Sequence, residues 1–467
     1  MGLRGEKYEP THITGTEGTQ RSFGLCRSLV THNTRNSLIT LMVAAILPLS
    51  LHIDGCRHCT GLLSRQMGSV VSQCCSQEVQ FQMDNRQIVR FFMIGTGGAG
   101  KTTVIRQLKC LCKERSRNYK VFDREWNEIP VDRIFSDEEM RRFRKIIRNN
   151  IMTAVYNLIQ QTSDWGHDCQ NSKTVEAILA IVDNAVKDGK GIFDVDVPSS
   201  LGDDLIEVLR DPNIVDTLGK HHKMARKWRI EDGTLKFLSE KEIKRLFDDD
   251  AELSTIDIVH ARYPTTDMQD FRFSINGTYI QIHDMGGQPT EMMKIPEFMQ
   301  QWLAADREGY MNFILFVTSM ADFNVQDEEE ESRTAMERSI RILDRILSAD
   351  AIHNCGLLIF FNKQDVFDEV VTALAKTDEG RAEIIGRLNS SLTEGAKRKL
   401  ADANSSVRVV HTAIESKFDN VIQRRKKGTG VYRKDTQAVD PYIMADIFNV
   451  IENEIIADFI KNARFIM

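Results

Sequence analysis

The chain has 467 residues, too many for one ordinary domain and enough for two or three. Its formal charge of −6, from 61 basic and 67 acidic residues, argues against a nucleic-acid binder, and 42% hydrophobic residues can build a core. Nine irregularly spaced cysteines exclude a disulfide scaffold and read as free thiols in a reducing compartment. Cys56-Arg-His-Cys59 has no second pair at zinc-ribbon spacing, so no metal site is expected there.

Residues 1–66 are rich in Thr, Ser, Gly and Arg and stand apart as an extension. The apolar run from Leu38 to Leu51 is interrupted by Pro48 and falls short of the roughly 20 residues that span a bilayer, so no transmembrane helix is expected. Met67-Gly-Ser-Val-Val-Ser-Gln-Cys-Cys75 has the form of an N-myristoylation signal, with Gly68 as acceptor and Cys74 and Cys75 placed for palmitoylation. Two acyl groups give stable anchoring where one is marginal. Because the signal works only at an N-terminus, Met67 is the expected physiological start, and 67–86 the lipidated segment.

Ile88-Val-Arg-Phe-Phe-Met-Ile94 reads as a strand, Gly95-Thr-Gly-Gly-Ala-Gly-Lys-Thr-Thr103 as a glycine turn, and Val104 onward as a helix. The pattern Gly-x4-Gly-Lys-Thr is a phosphate loop. Gly95, Gly98, Ala99 and Gly100 let backbone N–H groups close round a phosphate, Lys101 brings charge, Thr102 a hydroxyl for Mg²⁺, and Thr103 continues the helix.

Helical periodicity then dominates. Ser136 and Glu139 form a capping box ahead of Met140, Phe143, Ile147, Ile151 and Val155, and further helices are expected at 174–187, 200–210 and 239–247. With so few strand-like runs before residue 270, 116–256 reads as an inserted all-α domain, flanked by 87–115 and 257–467. Phe271, Phe273 and Ile275 alternate up to an Asn276-Gly277 hairpin turn, and Tyr279-Ile-Gln-Ile-His283 returns. Phe313 to Val317, Leu357 to Phe361 and Val407 to Val410 read as buried parallel strands. They and the hairpin end on Asp284-Met-Gly-Gly-Gln288, Asn362-Lys-Gln-Asp365 and His411-Thr-Ala413, at the strand ends where open α/β sheets place ligands. Residues 423–441 read as an insertion before a last amphipathic helix carrying Ile447, Ile451, Ile455 and Phe459.

In that order, these motifs resemble GTP-binding regulatory proteins, and the long helical insert is similar to that of heterotrimeric G-protein α subunits. The resemblance implies an α/β Ras-like P-loop GTPase domain, with a six-stranded mixed sheet and an inserted helical domain. It implies GTP or GDP with Mg²⁺ as ligands, and signalling from G-protein-coupled receptors to effectors at the cytoplasmic face of the plasma membrane. By motif position Asp257 to Thr266 resembles the first switch: Val259, His260 and Ala261 line the nucleotide, Arg262 is the catalytic arginine, and Thr265 joins Thr102 on Mg²⁺. Asp284 stands behind the metal, Gly286 and Gly287 lead to the water-orienting Gln288, and Asp232 of the insert reaches the nucleotide. Asn362 and Lys363 shape the guanine pocket, Asp365 accepts the guanine N–H pair that adenine lacks, and Ala413 presents backbone to the guanine oxygen. A βγ dimer, an activated receptor and an effector are the implied partners.

The departures from the family pattern carry expectations of their own. Gly98-Ala99 stands where α subunits carry Glu-Ser, so the carboxylate that latches the arginine is missing from the loop. His260, Asp267, Pro289 and Ile295 also differ, which bears on partner choice at the second switch. The alternative reading is a nucleotide-bound scaffold of the same fold with impaired hydrolysis or partner binding.

Overall fold

The computed structural model describes residues 88–457, apart from 190–194, 263–268, 286–309, 328–329, 331, 350–351, 353 and 426–429. Strand β1 (Ile88–Ile94) is buried along its whole length. The glycine turn follows it, and α1 (Lys101–Glu114) starts directly behind. Two short strands, β2 (Tyr119–Phe122) and β3 (Glu128–Ile129), precede a run of helices. These are α2 (Asp137–Asp164), α3 (Ser172–Lys187), α4 (Gly202–Leu209), α5 (Pro212–Gly219), α6 (Glu240–Phe247) and α7 (Thr255–His260).

The sheet resumes with β4 (Gln269–Ile275), β5 (Thr278–Asp284) and β6 (Tyr310–Ser319), then α8 (Ala335–Leu347) and β7 (Gly356–Asn362). The remaining elements are α9 (Gln364–Ala375), α10 (Asp378–Leu388), α11 (Glu394–Lys399), α12 (Ala403–Arg425), β8 (Val431–Asp435) and α13 (Pro441–Val450). The last helix passes into a π-helical turn, Ile451–Ile456.

Eight strands form one sheet in the order β3-β2-β4-β5-β1-β6-β7-β8. The order β5-β1-β6-β7-β8 is parallel, which needs helical crossovers, and the β4–β5 hairpin is antiparallel across Asn276 and Gly277, both at positive φ. Because side chains alternate across a strand, Val89, Phe91 and Met93 face α1 and the last helix, while Phe92 and Ile94 face α8, α9 and α12. The inserted helices bury a separate core around Ile151, Val155, Leu158, Leu205 and Phe237. The expected capping box is formed, with Glu139 N donating to Ser136 Oγ at 3.1 Å and Ser136 N to Glu139 Oε2 at 3.0 Å.

Four sequence expectations are corrected. The sheet has eight strands among the described residues, not six, because β2 and β3 extend it beyond the hairpin. Residues 119–129 therefore belong to the sheet, and the helical run begins after them. Val407 to Val410, read as a strand for its β-branched side chains, lies inside α12, where tertiary packing overrides a weak local preference. The edge strand is instead β8, within the stretch taken for an insertion. Its half-exposed Tyr432, Arg433 and Lys434 give no apolar run to recognise.

Candidate functional site

The site collects at the carboxyl ends of β1, β5, β6 and β7, where this order of parallel strands opens a crevice. Gly98 and Gly100 of the phosphate loop have φ of 78° and 100°, the left-handed region that favours glycine. A Cβ on Gly100 would fall 2.2 Å from Asn362 Nδ2, and one on Gly95 would fall 2.1 Å from Val317 O, so the loop is pressed against its neighbours and only glycine fits. Lys101 is buried, and its ammonium donates to the carbonyls of Gly95 at 2.8 Å and Thr96 at 3.1 Å, spanning the loop. No side chain caps α1 and no acidic residue sits in its first turn, so the N–H groups of Thr102 and Thr103 stand at a positive, uncapped helix end suited to a phosphate.

Thr102 Oγ1 donates to Asp284 Oδ2 at 3.2 Å, joining the first turn of α1 to the end of β5. No group of three or more His, Cys, Asp or Glu is arranged for a metal among the described residues. A hydroxyl beside one buried carboxylate suits Mg²⁺, which takes few protein ligands and completes its shell with phosphate oxygens and water.

Asn362, at the end of β7 and 2% exposed, is the junction of the site. Its Nδ2 donates to Ala99 O at 2.8 Å, and its Oδ1 accepts from Thr436 Oγ1 and Ala438 N, both at 3.0 Å. Lys363 follows in the left-handed conformation at φ 60° and opens α9, whose first turn carries an exposed Asp365. Ala413, expected to meet the guanine, is instead buried in α12 among core side chains. The loop beside Asn362 is Thr436-Gln437-Ala438, directly after β8. The signal that could have found it is Thr436-Gln-Ala438 itself, a Thr-x-Ala tripeptide just ahead of the last helix, whereas His411-Thr-Ala413 offers only Thr-Ala.

Val259 and Ala261 are buried, and His260 at the end of α7 has its pKa lowered by burial. Arg262 is gripped through its backbone by Asn150 of α2: its N–H donates to Asn150 Oδ1 at 2.8 Å and its carbonyl accepts from Nδ2 at 2.7 Å. No sequence signal marked Asn150, since a mid-helix asparagine looks like any other. The Arg262 side chain pairs through Nε with Glu231 at 3.1 Å. Arg106 of α1 donates to the Ala261 carbonyl, and burial and then the Arg262 charge bring its pKa down to about 10. Asp232 opens a 3₁₀ turn, Asp232–Phe237, next to this segment. Thr265, Gly286, Gly287, Gln288, Gly68, Cys74 and Cys75 lie outside the described residues.

A phosphate loop tied by one asparagine to the Thr436–Ala438 loop, on a sheet whose chain also carries an inserted helical bundle, is the arrangement of a P-loop nucleotide-binding protein. The sequence profile of the family described as G-protein alpha subunit matches residues 69–455. The chain belongs to that family. It is 22% identical over 310 residues to the guanine nucleotide-binding protein alpha-2 subunit of Caenorhabditis elegans, covering 66% of this chain and 76% of that protein. It is 20% identical over 292 residues to the guanine nucleotide-binding protein G(o) subunit alpha of Locusta migratoria, covering 61% and 70%. It is accordingly a GTP-hydrolysing signal transducer that binds GTP or GDP with Mg²⁺.

Proposed function

We propose that GTP is held and hydrolysed by this chain's own side chains in the following roles. Lys101 and the uncapped start of α1 hold the phosphates, and Thr102 and Thr265 hold Mg²⁺, with Asp284 behind Thr102. Bound Mg²⁺ supplies charge neutralisation on the phosphates. Arg262 offsets charge developing on the transferred phosphoryl oxygens, and Gln288 orients the attacking water. Little proton transfer is asked of the protein, because positioning and electrostatics carry most of the acceleration. Asp365 accepts the paired N–H groups of guanine, the backbone of Ala438 meets its carbonyl oxygen, and Asn362 holds both loops in register. Adenine, without that donor pair, leaves Asp365 unmatched.

The observation that carries this reading is the set of bonds made by Asn362, which fixes the phosphate loop and the Thr436–Ala438 loop around one space. The experiment is single-turnover hydrolysis of GTP by the full chain, beside Arg262→Ala and Gln288→Leu, with unlabelled ATP as competitor. Both variants should bind GTP yet turn over at least tenfold more slowly, and a thousandfold excess of ATP should not displace it. Unchanged turnover in both variants, or ready displacement by ATP, would sink the assignment.

A βγ dimer, a receptor and an effector are the partners this reading assigns, with Asn462 to Met467 engaging the receptor by the family resemblance. Myristate on Gly68 and palmitate on Cys74 and Cys75 would hold the chain at the cytoplasmic face of the plasma membrane. No helix among the described residues is long and apolar enough to cross a membrane. Mass spectrometry of the native N-terminus tests the lipid assignment, and an unacylated Gly68 would end it.

A further inference from the structure

We propose that Glu231, a residue of the inserted helical segment, is the positioning residue for Arg262, so that the arginine is set for hydrolysis only while the inserted helices close on the nucleotide-binding domain. The proposal rests on Arg262 acting in hydrolysis as described above. The phosphate loop runs beside this arginine but offers it no carboxylate. Gly98 of the loop comes close to it, since an added Cβ there would stand 3.4 Å from Arg262 Nη2. The carboxylate comes instead from Glu231, whose Oε2 accepts from Arg262 Nε at 3.1 Å. A carboxylate on Nε does not use both Nη groups, which are the ones a pair of phosphoryl oxygens would take.

Two features make the pair a built arrangement. The turn that carries Glu231 is closed by Thr234 N donating to Glu231 O at 2.8 Å, and it approaches the first-switch segment so tightly that a Cβ on Gly233 would fall 2.9 Å from His260 O. The distance from Glu231 to Arg262 is thus fixed by a glycine contact as well as by the ion pair. The backbone of Arg262, meanwhile, is held on both sides by Asn150, so the inserted helices set the residue's main chain and its side chain together.

The need for a counter-charge is plain. Arg106 lies close enough that the Arg262 charge lowers its pKa, so two guanidinium groups repel beside the phosphate loop, and Glu231 is the carboxylate on Arg262 Nε that meets this charge. The Glu231–Arg262 pair is 46% and 34% exposed, so its own strength is modest and its effect is to choose a rotamer.

The test uses the full chain. Single-turnover GTP hydrolysis and the dissociation of a fluorescent GDP analogue are measured for the parent, Glu231→Gln, Glu231→Asp, Arg262→Ala and the Glu231→Gln/Arg262→Ala double variant. Glu231→Gln should slow hydrolysis by about three- to tenfold with GTP affinity unchanged, and should speed GDP release by about twofold. Glu231→Asp should fall between it and the parent. In the Arg262→Ala background, Glu231→Gln should change neither rate. Parent-like rates in Glu231→Gln beside an impaired Arg262→Ala would overturn the role of Glu231 alone. Equal losses in both backgrounds would show that Glu231 acts elsewhere, and would also overturn it. Parent-like hydrolysis in Arg262→Ala would instead remove the catalytic reading of the arginine, and this proposal with it.

Discussion

Asn362 holds the carbonyl of Ala99, the hydroxyl of Thr436 and the backbone N–H of Ala438 from a position 2% exposed. Asn362→Ala would leave three buried groups unmatched and should cost about 2–3 kcal/mol of stability, together with most of the nucleotide affinity. Urea unfolding and GDP titration check both. Gly100→Ala is a sharper probe, because its Cβ would meet Asn362 Nδ2 at 2.2 Å from a backbone at φ 100°. It should abolish binding of fluorescent GTP while far-UV circular dichroism stays unchanged. Lys101, Thr102, Asn362 and Asp284 were legible as site residues because each belongs to a short motif whose spacing is set by one turn of backbone. Glu231 and Asn150 were not, since each acts on Arg262 from far along the chain.

Among the elements, α2 begins at a capping box whose loss is easily measured. Ser136→Ala should destabilise the chain by about 1 kcal/mol, read as a shift in urea midpoint. β8 and α12 are joined by His411, whose Nε2 lies 2.8 Å from Asp435 Oδ1 and whose Nδ1 lies 3.4 Å from Glu415. The bond to Asp435, with the negative charges of Asp435 and Glu415, raises the His411 pKa above its ordinary 6.5 against the effect of burial. A raised folded-state pKa means stability that is present in full below pH 6.5 and is lost as pH rises through the folded value. His411→Gln should therefore lower the urea midpoint at pH 6 and leave it unchanged at pH 9. The β8 strand escaped the sequence reading for a physical reason. An edge strand has one unpaired side and tolerates polar residues, so its hydrophobic alternation is weak.

For the whole molecule, the last helix begins directly behind the Thr436–Ala438 loop and packs under the sheet. Phe448 packs edge-on against Phe273 at 6.0 Å and Phe360 at 6.2 Å between ring centroids. Asp440, two residues past Ala438, caps α13. Phe448→Ala should cost about 3–5 kcal/mol by leaving a cavity under the sheet. It should also speed GDP release, because the Thr436–Ala438 loop loses its anchored neighbour. Thermal unfolding and GDP dissociation would separate these effects, and unchanged release from a destabilised variant would uncouple helix from loop.

The sequence alone determined the phosphate loop, the hairpin, the parallel strands β1, β6 and β7, and the helical run, because each is specified by residues within about a dozen positions of one another. The same local information did not tell whether Thr412-Ala413 or Thr436-Gln-Ala438 faces Asn362. Val407 to Ala413 carries the better strand pattern, but α12 packs against the sheet as a helix and β8 supplies the edge. Nor could it show that the arginine's carboxylate comes from the inserted helices. Residues 231 and 262 lie far apart in the chain, and their contact is a property of the tertiary structure.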